Sequence, residues 1–214
     1  MRLRIVIFLI VVSCTSFAQV QVNPHWAHAP EAQSTAPNHW SLNGATVRRA
    51  IAEIFEVTPV RVDFPAGLDD EKVYDFAVDL PPGGGNTTAF LQAAFEKQFG
   101  ISITREKRMM DVYVLTAPNG PGKLIPSAPT ETHSVRVRSG GLTAHAMGMP
   151  MLGQFLESPL VLNRPVVDET HLTGEYDIEG SMIRGGAIQT LQGFGLSVTP
   201  DRRTIEMIVI RSTR

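Results

Sequence analysis

Asn163-Arg-Pro-Val-Val-Asp-Glu-Thr-His-Leu-Thr-Gly-Glu-Tyr-Asp-Ile178, followed by Phe194-Gly-Leu-Ser-Val-Thr199, is the stretch on which the fold turns, because a fainter copy of it lies upstream. Tyr74-Asp-Phe76 corresponds to Tyr176-Asp-Ile178, and Phe99-Gly-Ile-Ser-Ile-Thr104 corresponds to Phe194-Gly-Leu-Ser-Val-Thr199. Each copy closes on an apolar alternating run. A pattern that recurs at long spacing marks a repeated supersecondary unit. The chain therefore reads as α+β, with two tandem repeats of a small helix-strand-helix-hairpin unit, each a mostly antiparallel sheet packed by helices.

Outward from these motifs, helical and strand periods alternate. Val47, Ala50, Ile51, Ile54 and Phe55 fall at i, i+3, i+4, i+7 and i+8, the stripe of a core-facing helix, which Thr58-Pro59 ends. Residues 73–80 put Tyr74, Phe76, Val78 and Leu80 on one face and Asp75 and Asp79 on the other, as in a half-buried strand. Asn86 or Thr87 can cap a helix that buries Phe90, Leu91, Ala94 and Phe95, and Gly100 stops it. Residues 101–104 and 111–116 then read as a hairpin around Arg105-Glu-Lys-Arg108.

The second half repeats the order. A strand at 134–138 precedes a helix carrying Met151, Leu152, Phe155 and Leu156, ended by Pro159. A strand at 175–179 and a short helix at 187–192 follow. A last hairpin joins 196–198 to 204–210 through Pro200-Asp-Arg-Arg203, where Pro pre-sets a turn dihedral. Between the halves, residues 118–130 hold four Pro and two Gly among thirteen residues, the composition of a linker. The division is a signal peptide at 1–18, a flexible tether at 19–43, repeats at 44–117 and 133–214, and a linker at 118–132.

Arg2 and Arg4, the apolar run 5–12, and Ser16-Phe17-Ala18 before Gln19 form a signal peptide with a cleavage site. The apolar run falls short of the roughly 20 residues of a permanent span. The expected location is periplasmic or extracellular, without a transmembrane helix in the mature chain. Val11-Val12-Ser13-Cys14 also fits a loose lipobox, so a lipoprotein anchored through Cys14 is the alternative. Cys14 is the only cysteine, which leaves no disulfide or thiol chemistry to the folded part. Removing the signal takes 19 basic residues to 17 against 21 acidic ones, so the net charge moves from -2 to -4. A mildly acidic surface argues against a nucleic-acid partner.

Chemistry is sparse. His25, His28 and His39 lie in the tether, while His133, His145 and His171 are scattered without the close pairing of zinc ligands, so no metal and no cofactor is expected. Gly83-Gly-Gly85 lacks the Lys-Ser/Thr pair of a phosphate-binding loop. Asp168, Glu169, His171, Glu175 and Asp177 cluster in sequence, which opens a hydrolase or glycan-acting reading. Against it, Glu175 and Asp177 share the strand face opposite Tyr176 and read as its solvated side, with Gly174 there to allow positive φ. Met147-Gly-Met-Pro-Met151 is either the core at a helix start or an adaptable binding surface.

Through Arg164-Pro-Val-Val-Asp168, Leu172-Thr-Gly-Glu-Tyr-Asp177 and Phe194-Gly-Leu196, the chain resembles the bacterial family known as soil-associated proteins, secreted and of unknown function. The likeness extends over about residues 44–211. Thr170-His-Leu-Thr-Gly174 stands where the family has Thr-Gly-Leu-Thr-Gly, and the family's opening Phe-Glu-Val-Ala-Ser strand is not evident. The resemblance implies compartment and fold, and brings no catalytic residues. Arg164, Pro165, Val166, Asp168, Leu172, Thr173, Gly174, Tyr176, Asp177 and Gly195 are its motif residues, with structural roles expected. The reading is an exported, non-catalytic module that binds an envelope protein or ligand. The alternatives are the enzyme and a sensor domain partnering a membrane peptidase or receptor.

Overall fold

The computed structural model describes residues 20–25, 32–36, 38–66, 68, 71–80, 86–128, 130–138, 141–182 and 185–213. The signal peptide and lipobox, His28 and Gly83-Gly-Gly85 lie outside the described residues. The chain forms β1 (Val20–Pro24), β2 (Ala32–Ala36), β3 (His39–Ala45), α1 (Val47–Ile54), a 3-10 turn (Pro59–Arg61), β4 (Val62–Asp63), β5 (Tyr74–Asp79), α2 (Thr87–Phe99) and β6 (Ile101–Thr116). Then come β7 (Pro118–Pro121), β8 (Ile125–Pro126), β9 (Ser134–Arg138), β10 (Gly141–Gly148), α3 (Met149–Leu156), β11 (Val166–Asp168), β12 (Glu175–Ser181), α4 (Gly186–Gly193) and β13 (Ser197–Ser212). The fold is mixed α+β with three sheets, ordered β1-β5-β3-β2, β8-β12-β10-β9 and β11-β6-β13-β4. Among the described residues no helix is long and apolar enough to cross a membrane.

The helices follow their sequence signals. Thr46 accepts from the Arg49 amide at 3.2 Å to start α1, Asn86 accepts from the Ala89 amide at 3.0 Å to start α2, and Gly100 ends α2 at φ 61°. Side-chain oxygens at these positions satisfy amides that a helix leaves orphaned. Met147 and Met149 are fully buried, so that stretch is core at a helix start, while Pro150 and Met151 reach solvent.

Both expected hairpins are instead single strands. β6 and β13 pair antiparallel over all sixteen residues, from Ile101↔Ser212 to Thr116↔Ser197. The charges that read as a turn are cross-strand partners: Arg105 pairs with Glu206, Arg202 with Asp111 at 3.3 Å, and Arg211 with Glu106 at 2.5 Å. Opposite charges on facing strands stabilise the ladder that a turn would have cut. Pro200 is tolerated because it faces Tyr113, whose amide points away from β13 to the Pro165 carbonyl at 2.8 Å. At that register the missing Pro N–H removes no β6–β13 bond.

The expected tether at 19–43 is also corrected, since its described residues supply β1, β2 and most of β3. Its composition hides a short period of two: Trp40 and Leu42 are 4% and 1% exposed, between half-buried His39 and Ser41. The linker 118–132 likewise contains β7 and β8, and β8 pairs with β12.

The halves interlock through the central sheet. β4 runs parallel to β13 (Val62↔Ile208), and β11 runs parallel to β6 (Val166↔Tyr113). The first apolar core, with Trp40, Leu42, Ile51, Phe76 and Phe95, includes Ile208 and Ile210 of β13. The second, with Leu142, Met149, Leu152 and Ile178, includes Leu115 of β6. Each half thus completes its core with a strand of the other.

Candidate functional site

The Tyr-Asp motifs serve two β-bulges. Between Leu42 and Ala45, and again between Ala144 and Met147, the strand register shifts, and each bulge holds a residue of positive φ: Gly44 at 70° and Ala146 at 51°. A bulge leaves an amide unpaired in the ladder. Asp75 accepts from the Gly44 amide at 2.9 Å, and Asp177 accepts from the Ala146 amide at 3.3 Å. The aspartate after each tyrosine therefore closes the bulge on the neighbouring strand. Glycine adopts this backbone freely, whereas for alanine it costs about 1–2 kcal/mol.

The surroundings of the two carboxylates differ. His25 Nδ1 lies 2.6 Å from Asp75. Burial works to raise the Asp75 pKa, but the His25 ring and the Gly44 amide hold it below its ordinary value. Asp177 accepts from the Ser127 hydroxyl at 2.5 Å, and Ser127 in turn accepts from the Ala146 amide at 3.0 Å. The Ser127 bond is the main cause holding Asp177 below its ordinary pKa; burial opposes it, and the Ala146 amide and His145 add to it. His145 Nδ1 lies 3.4 Å from Asp177 Oδ2 and 3.0 Å from Glu131 Oε1. One ligand atom from each of Glu131, His145 and Asp177 falls within 4.8 Å of the others. No motif or spacing in the sequence points to Ser127, Glu131 or His145, because they stand in the linker and on β10, far along the chain from Asp177.

The acidic stretch does not gather into one cleft. Asp168 accepts from the Thr170 amide at 2.9 Å and its hydroxyl at 2.7 Å, and Thr170 accepts from the Leu172 amide at 3.2 Å. This is a side-chain-stabilised turn. Glu169 pairs with Arg203 at 3.2 Å, and His171 is exposed at φ 58°. Thr173 and Glu175 are exposed, while Leu172 packs on the second core. Gly174 does not have positive φ; a Cβ there would lie 2.9 Å from the Tyr176 hydroxyl, so glycine makes room for a tyrosine only 7% exposed. Arg164 lies 5.5 Å above the Tyr113 ring, Pro165 and Val166 are buried against β6, and Gly195 forms the left-handed turn after α4.

A second polar cluster joins the halves. Glu157, 1% exposed at the end of α3, receives Arg61 Nε at 2.8 and 3.1 Å, Arg61 Nη2 at 2.5 Å, the Val166 amide at 2.8 Å and the Thr58 hydroxyl. Arg61 Nη2 also donates to the Val166 carbonyl at 2.7 Å. Two open clefts of about 270 and 430 Å³ flank this pair, and Asp168 lines the smaller. A glutamate ending an apolar helix carries no sequence signal for a partner so distant along the chain.

The chain belongs to the family described as a protein of unknown function (DUF3738), whose model matches residues 48–212. No curated protein and no solved structure matches it.

Proposed function

We propose that the chain is an exported, non-catalytic interaction module built of two copies of one α+β unit, a member of the narrower soil-associated group. The repeat reading draws support from the sheet orders. β1-β5-β3-β2 and β8-β12-β10-β9 correspond strand for strand, each followed by a helix and a strand of the central ribbon, and each bulge is closed by a Tyr-Asp carboxylate. Export rests on Arg2, Arg4 and the apolar run before Gln19.

The observation that carries the binding reading is strand β9, at the edge of its sheet with all five residues exposed. Val135 and Val137, 42% and 55% exposed, alternate with Arg136 and Arg138. An edge of this kind accepts an extended segment as an added strand. Acidic side chains at alternate positions would answer the arginines. A displayed library of random peptides, selected on wild type and on R136E/R138E, tests this. Enrichment of acidic, β-prone segments that the double variant fails to retain supports the module. Hydrolysis of envelope peptides or glycans by wild type, reduced about 10²-fold or more by D168N, H171Q or D177N, would replace it with the enzyme.

A further inference from the structure

We propose that Glu131, His145 and Asp177 bind one divalent transition-metal ion of the zinc class. Each group comes from a different element: Glu131 precedes β9, His145 lies on β10 and Asp177 on β12. Their ligand atoms converge, with His145 Nδ1 3.0 Å from Glu131 Oε1 and 3.4 Å from Asp177 Oδ2. Donor atoms held tetrahedrally at zinc distances lie about 3.3 Å apart. The separations therefore fit a shared ion.

The second observation is the state of the imidazole nitrogen. His145 Nδ1 is shut off from solvent and lies within ion-pair range of both carboxylates, yet it completes a well-aligned hydrogen bond to neither. A ring nitrogen and two carboxylate oxygens are all acceptors unless a proton or a metal stands between them. A proton on the ring nitrogen bonds an oxygen along the lone-pair axis, whereas an ion on that axis takes oxygens disposed to either side of it. The surroundings also suit a metal ligand. Asp177 Oδ1 is fixed by Ser127 at 2.5 Å and by the Ala146 amide at 3.3 Å, which leaves Oδ2 aimed at the ring. Outer partners of that kind orient ligating carboxylates.

One nitrogen and two carboxylate oxygens suit zinc, cobalt or manganese better than magnesium or a soft copper(I) ion. The side chains of His145, Glu131 and Asp177 are 43%, 30% and 29% exposed, so solvent can complete the coordination. Bound metal would clip the segment leading into β9 onto β10 and β12. The site is independent of the peptide-binding proposal, because its test reads metal alone.

The experiment is titration of the signal-cleaved chain with Co²⁺ after chelator treatment, followed by displacement with Zn²⁺. Wild type should develop the visible absorption of low-coordinate cobalt at one equivalent, and zinc should abolish it. E131Q and H145Q should each weaken binding at least tenfold with unchanged circular dichroism, while H39Q, at the half-buried histidine of β3 in the other sheet, should bind as wild type. Should H145Q fail to fold, E131Q on its flanking segment decides. An absent cobalt band in wild type overturns the site, as does a band that survives E131Q at full affinity or one that H39Q removes.

Discussion

The bulges at Gly44 and Ala146 occupy the same place in two sheets of matching strand order, and they solve one problem with different chemistry. At Gly44 a residue without a Cβ takes the left-handed backbone, and Asp75 meets its amide and the His25 ring. At Ala146 the backbone is strained, and Ser127 joins Asp177 in holding the amide. Strain of about 1–2 kcal/mol persists only where surrounding bonds over-determine the conformation. In both sheets the aspartate after a tyrosine holds a bulge amide, and at Ala146 further polar groups surround that amide.

The largest effect should come at the joint that lets the two sheets be compared at all. Arg61→Ala leaves Glu157 buried without its partner, and loss of one member of a buried pair costs about 3–5 kcal/mol. Chemical denaturation should show that loss in one cooperative transition, since each core contains a strand of the other half. Two separated transitions would break the interlocked picture. Tyr176→Ala should follow with about 3–5 kcal/mol, as large buried aromatics do. Tyr74, only half-buried beside Phe76, should cost clearly less when truncated. Equal costs in the same denaturation assay would mean that the two tyrosines are packed alike.

A reciprocal exchange sharpens the contrast at the bulges themselves. Gly44→Ala should destabilise by about 1 kcal/mol, because it imposes positive φ on alanine. Ala146→Gly should stay within about 0.5 kcal/mol of wild type, as relief of strain offsets the added freedom of the unfolded chain. Matching losses in both variants, read from urea midpoints, would erase the distinction.

The smallest effect is on acid stability. Asp75 and Asp177 both lie below their ordinary value of 3.8 in the folded chain, so the unfolded chain binds protons more readily. Their stabilisation is complete above that value and is lost as pH falls from there through the folded pKa values. D75N and D177N should each flatten the fall in stability below about pH 4. A fall as steep as that of wild type in both would remove these carboxylates from the account.

Local signals make the helices legible in the sequence: the apolar stripe of Val47, Ala50, Ile51 and Ile54, the Asn86 cap and the Gly100 stop are all contained within a few residues. The β6–β13 ribbon is not legible there, because Arg105-Glu-Lys-Arg108 and Pro200-Asp-Arg-Arg203 look like turns until their cross-strand partners are known. Strand β3 is hidden by its Asn-, His- and Ala-rich flanks, although Trp40 and Leu42 carry a period of two. The acidic run from Asp168 to Asp177 is visible but belongs to separate environments. The groups that surround Asp177, Ser127 and His145 among them, come together only through sheet pairing. No spacing rule along the chain could assemble them.

Amide hydrogen exchange at Gly44 and Ala146, followed residue by residue by NMR, tests the shared clasp most directly. Both amides should be strongly protected in wild type. Asp75→Ala should release Gly44 alone, and Asp177→Ala combined with Ser127→Ala should release Ala146 alone, each against an otherwise unchanged pattern. Exchange of either amide at the unprotected rate in wild type, or protection that survives loss of its side-chain acceptors, would contradict the claim that the two Tyr-Asp carboxylates each hold a bulge amide.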